Sequence, residues 1–212
     1  MISVLQVMEM IESQAKKMSS FFISNGVIDE KDREKFDYCY EVMLSTLVNV
    51  LAIVLAGAVT AFLPQSLCFL AAFVVLKNTV GGYHADSHLA CFLCTMSTYL
   101  AFRLLAAFLP VGVLPLLSVI LAAFAAAAVF LLAPVGTAGK PLGRKQALRL
   151  KKDSRLMILC FFLLVIVLLS CRADPLWPFS VSFGIAAVSS SLITGKRKLE
   201  KGAPAQPRPD NV

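Results

Sequence analysis

The sequence predicts an all-α, polytopic integral membrane protein: about six transmembrane or re-entrant helices behind an N-terminal amphipathic helix, with both termini cytoplasmic. Three observations carry this. Of 212 residues, 58% are hydrophobic and 16% charged, with a mean hydropathy of +0.78, whereas soluble domains are about half apolar and about a quarter charged. Six apolar runs stand apart, at 42–63, 66–76, 89–109, 111–133, 156–171 and 176–194. The basic residues gather on one side of them.

The N-terminal segment is not a signal peptide, because it carries Glu9 and Glu12 and lacks a basic start and a small-residue cleavage site. Val4, Met8, Ile11, Ala15, Met18 and Phe22 recur in alternating steps of four and three, which aligns them on one helical face. Glu9, Glu12, Ser13, Lys16 and Ser20 oppose them. Such a helix lies on the inner leaflet in preference to packing on a partner's equivalent helix. Gly26 supplies its stop, and Asp29 is the expected cap of a second helix that feeds the first apolar run. Residues 1–41 thus form a cytoplasmic N-terminal segment and 42–194 the membrane region.

A bilayer core takes roughly 20 helical residues, with about 17 the usual lower limit. Runs one, three, four and six meet that length. Run five meets it when its helix starts inside the preceding basic loop. Run two is short, ended by Lys77 and Asn78; it spans with the help of its polar flank, or re-enters where protein covers it. Arg103, six residues from the end of run three, is expected to snorkel. The serines of run six (Ser180, Ser182, Ser189, Ser190, Ser191) mark close helix packing rather than a transport path. Residues 196–212 are basic and then Pro-rich, the composition of a disordered tail.

Of the twenty Lys and Arg, five precede run one, seven lie between runs four and five, and five follow run six. With Lys77 that puts eighteen on one side when all six runs span, against Arg172 alone in an opposite-side loop. By the positive-inside rule both termini and the loop after Lys77 are cytoplasmic. The net charge of +7 therefore reads as topology and contact with an anionic inner leaflet, not as nucleic-acid binding. The six cysteines (Cys39, Cys68, Cys91, Cys94, Cys160, Cys171) fall mostly inside spans or on the cytoplasmic side, so no disulfide framework is expected. No metal and no cofactor are called for.

The chemistry concentrates in residues 77–91, KNTVGGYHADSHLAC, which hold both histidines, a Gly-Gly pair and a cysteine. A thiol and an imidazole suffice for nucleophilic acyl chemistry. Cys91 follows His84 by seven residues, about 10.5 Å along a straight helix, so His84 reaches the sulfur only if the chain bends between them. Gly81 and Gly82 supply pliable backbone before His84, and a turn at 85–87 would fold it over a helix start. A helix beginning near Ser87 puts Cys91 in its first turns, where the free amides and the positive dipole end favour a thiolate. His88, at i, i+3 from Cys91, is an equal rival as base. Cys91, Thr95 and Thr98 make a small polar stripe (i, i+4, i+7) suited to lining a wet cavity.

Two other readings compete. Cys91 and Cys94 form a Cys-x-x-Cys, the signature of a membrane thiol-disulfide oxidoreductase. Such an enzyme would want a second cysteine pair on the oxidising face, where only Cys171 lies. A small transporter would use Arg103 and the serines of run six.

The sequence VGGYHADSHLACF, followed downstream by APVGTAGKPL and a basic loop, resembles the accessory gene regulator B (AgrB) family of bacterial membrane cysteine peptidases. The resemblance covers most of the chain and delimits an AgrB-like domain at 1–195. It implies that Cys91 is the nucleophile and His84, rather than His88, its partner. Gly81 and Gly82 match the pair before the histidine, Lys77 stands where members often carry Arg, and Pro134, Lys140 and Pro141 match the downstream loop as substrate or structural contacts. The implied activity is that of an endopeptidase at the cytoplasmic face of the bacterial cell membrane. It removes the C-terminal tail of a short AgrD-like precursor peptide through a thioester on Cys91, then closes a thiolactone or lactone ring to give a quorum-sensing autoinducer. A homodimer is the expected assembly.

Overall fold

In a computed structural model the described residues, 4–80, 88–134 and 144–202, are almost wholly helical, with no strand among them. Seven α-helices follow in order: α1 (Val4–Ser24), α2 (Arg33–Val59), α3 (Leu63–Val80), α4 (His88–Phe108), α5 (Leu114–Leu132), α6 (Arg144–Ser170) and α7 (Leu176–Gly202), with single 3-10 turns at Glu30–Asp32 and Val111–Val113. Six segments are long and apolar enough to cross a bilayer, one on each helix from α2 to α7. They coincide with the six apolar runs. The second run turns out longer than its apolar stretch: α3 continues through Lys77 and Asn78 to Val80, giving 18 residues, or about 27 Å at the helical rise. The fifth span does begin within the basic loop, since α6 opens at Arg144.

The helices group into two compact units, one of α1, α2 and α4 up to Ala101, the other of α3, α4 from Phe102, and α5–α7. In the first unit, α1 ends where the Gly26 signal predicts. Gly26 takes φ +68°, its N–H donates to the Ile23 carbonyl at 3.0 Å, and the Val27 N–H donates to Phe22 at 2.9 Å. This is the paired-bond C-cap that a left-handed residue permits. Asp29 departs from expectation. It occupies the N-cap position of the 3-10 turn in extended conformation, but makes no capping bond, and its carboxylate pairs instead with Lys31 at 2.8 Å.

The inner face of α1 packs on α2. Ala15 and Ser19 are buried, and Phe22 meets the Phe36 ring edge-on at 5.4 Å. The apolar stripe of the N-terminal helix is thus covered, over its C-terminal half, by the next helix of the same chain. Ser19 joins that face although hydropathy does not mark it; its hydroxyl is spent on the Lys16 carbonyl at 3.0 Å. Along α2 the polarity is inverted relative to a soluble helix. Ser45, Asn49, Ile53 and Gly57 are buried, while Met43, Leu47, Leu51, Leu55 and Val59 are exposed, each set at four-residue spacing. Apart from Ile53, small and polar residues face inward and large apolar residues outward, the pattern that lipid as solvent selects.

In the second unit α7 is the central helix: 61% of its span is buried, against 33% or less for every other span. Val181, Ile185, Val188 and Leu192 of α7 close a core with Ala72, Leu76 and Val80 of α3, Ala122, Ala125 and Val129 of α5, and Ile158 and Val165 of α6. Alanines and one glycine let the backbones approach. A Cβ built on Gly184 would stand 2.7 Å from the Phe69 carbonyl oxygen and 3.1 Å from the Ala72 Cβ. Ser180, Ser182 and Ser189 are buried on the same helix, and the Ser189 hydroxyl donates to Ile185 at 2.9 Å with a longer contact to Ala125 of α5 at 3.4 Å. The serines therefore serve close packing, as their spacing suggests. Phe102 anchors the end of α4 against Phe69, Phe179 and Phe183, with ring centroids 5.1–5.7 Å away.

Candidate active site

α4 opens at His88, so Cys91 is its fourth residue and lies in the first turn. That start is what a helix beginning near Ser87 requires. Cys91 is half-buried, Cys94 is exposed, and both are free thiols. The polar stripe is present: Thr95 and Thr98 are half-buried beside Cys91 along the helix. Their donors, however, are not offered to a cavity. Thr95 Oγ1 donates to the Cys91 carbonyl at 2.9 Å and Thr98 Oγ1 to the Cys94 carbonyl at 2.8 Å. Such bonds to the carbonyl one turn back satisfy the hydroxyls without an outside partner.

His84, Gly81 and Gly82 lie outside the described residues, as do Lys140 and Pro141, and of the His88 side chain nothing is described. Lys77 occupies the last turn of α3, half-buried, with its Nζ 5.3 Å from the centroid of the Phe73 ring one turn back. Pro134 directly follows the extended C-cap residue Ala133 of α5, through a cis peptide bond. Val80, three residues beyond Lys77, and Ala133, next to Pro134, belong to one buried cluster of the second unit. Cys91 belongs to the first unit.

Three polar features escape a reading of spacing alone. Arg155 of α6 donates from Nη2 to the Phe130 carbonyl at 3.2 Å, with its Cζ 5.2 Å from the centroid of that ring, tying the basic start of α6 to the end of α5. Asn49 is buried within α2, where its Nδ2 donates to Ser45 at 2.9 Å while its Oδ1 has no partner among the described residues. Arg103 does not simply reach for water: its guanidinium lies 3.9 Å from the centroid of the Phe62 ring, a cation–π contact that lowers the cost of a charge in the span. A polar residue inside an apolar run was the available signal for Asn49; the partners of the two arginines were not readable. Among the described residues no cluster of His, Cys, Asp or Glu could hold a metal ion.

Six membrane-length helices define the class, a multi-pass membrane protein, with a half-buried cysteine at the opening of the third span. Comparison with known proteins narrows it. Residues 15–194 match the model of the family described as accessory gene regulator B. Two AgrB-like proteins of Clostridium perfringens, from strains SM101 and 13, are 24% and 25% identical over 164 residues, covering 75% of this chain and 77% of each relative. A further AgrB-like protein of strain 13 is 24% identical over 125 residues, or 59% of this chain and 66% of the relative. No solved structure matches. The chain belongs to the accessory gene regulator B family, which is linked to peptide processing in agr quorum sensing.

Proposed function

We propose that this protein is a membrane-embedded cysteine endopeptidase that removes the C-terminal tail of a short AgrD-like precursor peptide and cyclises what remains. The observation that carries the reading is the family match across residues 15–194, with Cys91 half-buried in the first turn of a membrane-length helix. In this reading Cys91 is the nucleophile and His84 the base. The Cys91 sulfur attacks a backbone carbonyl, His84 takes the thiol proton and returns it to the departing amine, and the C–N bond breaks. The tail leaves and the leader remains as a thioester on Cys91.

A cysteine thiol or serine hydroxyl within the bound peptide then attacks the thioester carbonyl and expels the Cys91 sulfur, closing a thiolactone or lactone. For a thiolactone one thioester replaces another, so the exchange is nearly balanced and water must be kept from the carbonyl. A pocket walled by apolar spans would serve that end. Gly81, Gly82, Lys77, Pro134, Lys140 and Pro141 are proposed as substrate or supporting contacts. The charge distribution supports a site at the cytoplasmic face, beside an anionic inner leaflet that concentrates an amphipathic precursor. A homodimer is proposed as the working form, as the family resemblance implies.

Intact mass of a candidate precursor co-expressed with wild type, Cys91→Ala and His84→Ala tests this. Tail loss with wild type alone, in a product lighter by one water than the linear fragment, is the expected result. A product that retains the water makes the protein a simple hydrolase. Tail loss with Cys91→Ala refutes the nucleophile.

A further inference from the structure

We propose that a groove at the outward end of the second unit binds an anionic phospholipid, with its acyl chain in the groove and its phosphate on Arg172. The start of α5, the end of α6 and the turn into α7 leave a cavity of about 510 Å³ there, lined by Pro115, Leu116, Val119, Leu169, Arg172 and Pro175 among others. That volume falls within the range of small-ligand pockets, about 300–1,000 Å³. The walls are aliphatic apart from Arg172.

The local sequence explains the opening. Pro115 sits at the start of α5 and Pro175 immediately before α7, and their short rigid rings leave the space between helix ends unfilled. α6 closes through Arg172 at φ +51°, with Arg172 N–H donating to Leu169 and Ala173 N–H to Leu168, both at 3.1 Å. Glycine or asparagine ordinarily occupies such a left-handed cap. Here an arginine does, which fixes a cation at the rim of the groove. Its acidic neighbour is engaged elsewhere: Asp174 Oδ1 accepts the Leu176 N–H at 2.9 Å as the cap of α7, and Arg172 makes no ion pair among the described residues.

An amphiphile with one apolar chain and one anionic head matches this arrangement. The walls stand at the ends of three membrane-length segments, Val111–Leu132, Ala147–Ser170 and Leu176–Arg197, the depth at which a lipid passes from acyl chain to phosphate. Arg172 is the one Lys or Arg of the outward loops. A lone guanidinium favours a lipid of net negative charge over a zwitterionic one, which brings its own cation.

The chain's single tryptophan, Trp177, lies two residues beyond Pro175, a wall of the groove, and serves as the fluorescent probe. Full-length protein is reconstituted in phosphatidylcholine vesicles containing increasing brominated phosphatidylglycerol, or brominated phosphatidylcholine as reference, and Trp177 fluorescence is followed. Wild type is expected to prefer the anionic lipid by about fivefold, the contribution of one cation at an anionic surface. Arg172→Asn keeps a residue that tolerates the left-handed turn and is expected to abolish the preference, while Arg172→Lys retains it. Val119→Phe fills the groove and is expected to abolish it too, with helix content by circular dichroism showing that each variant is folded. Equal quenching by both lipids in wild type overturns the proposal, as does a preference that survives in Arg172→Asn or Val119→Phe. Arg172-dependent quenching by a nitroxide-labelled apolar peptide with a free carboxylate, with no lipid preference, would also overturn it and assign the groove to a peptide.

Discussion

Cys91 and Cys94 differ by one turn of the same helix, and their environments separate them: the first is half-buried, the second exposed. If Cys91 alone carries the chemistry, Cys91→Ala abolishes precursor cleavage, by about 10⁴-fold or more as for other nucleophiles removed from an acting pair, while Cys94→Ala leaves it within about twofold. Loss of activity in both variants would favour the oxidoreductase reading; the precursor mass assay decides. Backbone strain supplies a second residue-scale prediction. Ala61 holds φ +52° in the turn between α2 and α3, a conformation that costs a residue with a Cβ about 1–2 kcal/mol. Ala61→Gly is expected to recover about 1 kcal/mol of that, read as a raised midpoint of thermal unfolding in detergent. Some residue roles were legible and others were not. Gly26 announced its left-handed cap because only a few residues accept that φ. Asp29 did not reveal that Lys31 would claim its carboxylate, since a side chain with two available partners chooses by geometry.

Among the elements, α7 carries the second unit because its residues are small where neighbouring helices cross. Gly184 makes a close approach, with the Phe69 carbonyl in the way of any added Cβ. A backbone oxygen cannot rotate aside, so Gly184→Ala is expected to cost about 1–3 kcal/mol, the usual range for overpacking, or to force α3 and α7 apart. A lowered thermal midpoint with unchanged helix content would show it, and an unchanged midpoint would mean that the helices part freely. The apolar runs located every span, because hydrophobic length is a property of consecutive residues and needs no partner. Helix ends were less legible. α3 runs on through Lys77 and Asn78, since backbone hydrogen bonds continue past the last apolar residue. Nor did the stripe on α1 reveal its cover: an amphipathic face states that something apolar lies against it, and α2 of the same chain competes with lipid for that place.

For the whole molecule, orientation is the property that charge predicts. Cys39 opens the first span and Cys171 follows the fifth, so five crossings put them on opposite sides of the bilayer. Both are exposed. If the basic loops are cytoplasmic, a membrane-impermeant maleimide applied to intact cells labels a variant retaining only Cys171 and spares one retaining only Cys39. The reverse pattern would invert the topology and with it the proposed cytoplasmic site. The proposed homodimer is tested by mass photometry in lipid nanodiscs, where a single species at the monomer mass would refute it.

What the sequence determined by itself is what depends on order along the chain: six apolar runs, a one-sided distribution of charge, and a cysteine near a helix start that follows a Gly-Gly pair. These follow from the lengths of apolar runs and from residue types at fixed spacing, and each can be counted in one dimension. Which helix is central, which aromatic face receives Arg103, and where a groove remains open beside Arg172 were decided only by the tertiary structure. Each depends on how closely surfaces distant in sequence approach one another, and a linear pattern leaves that distance free.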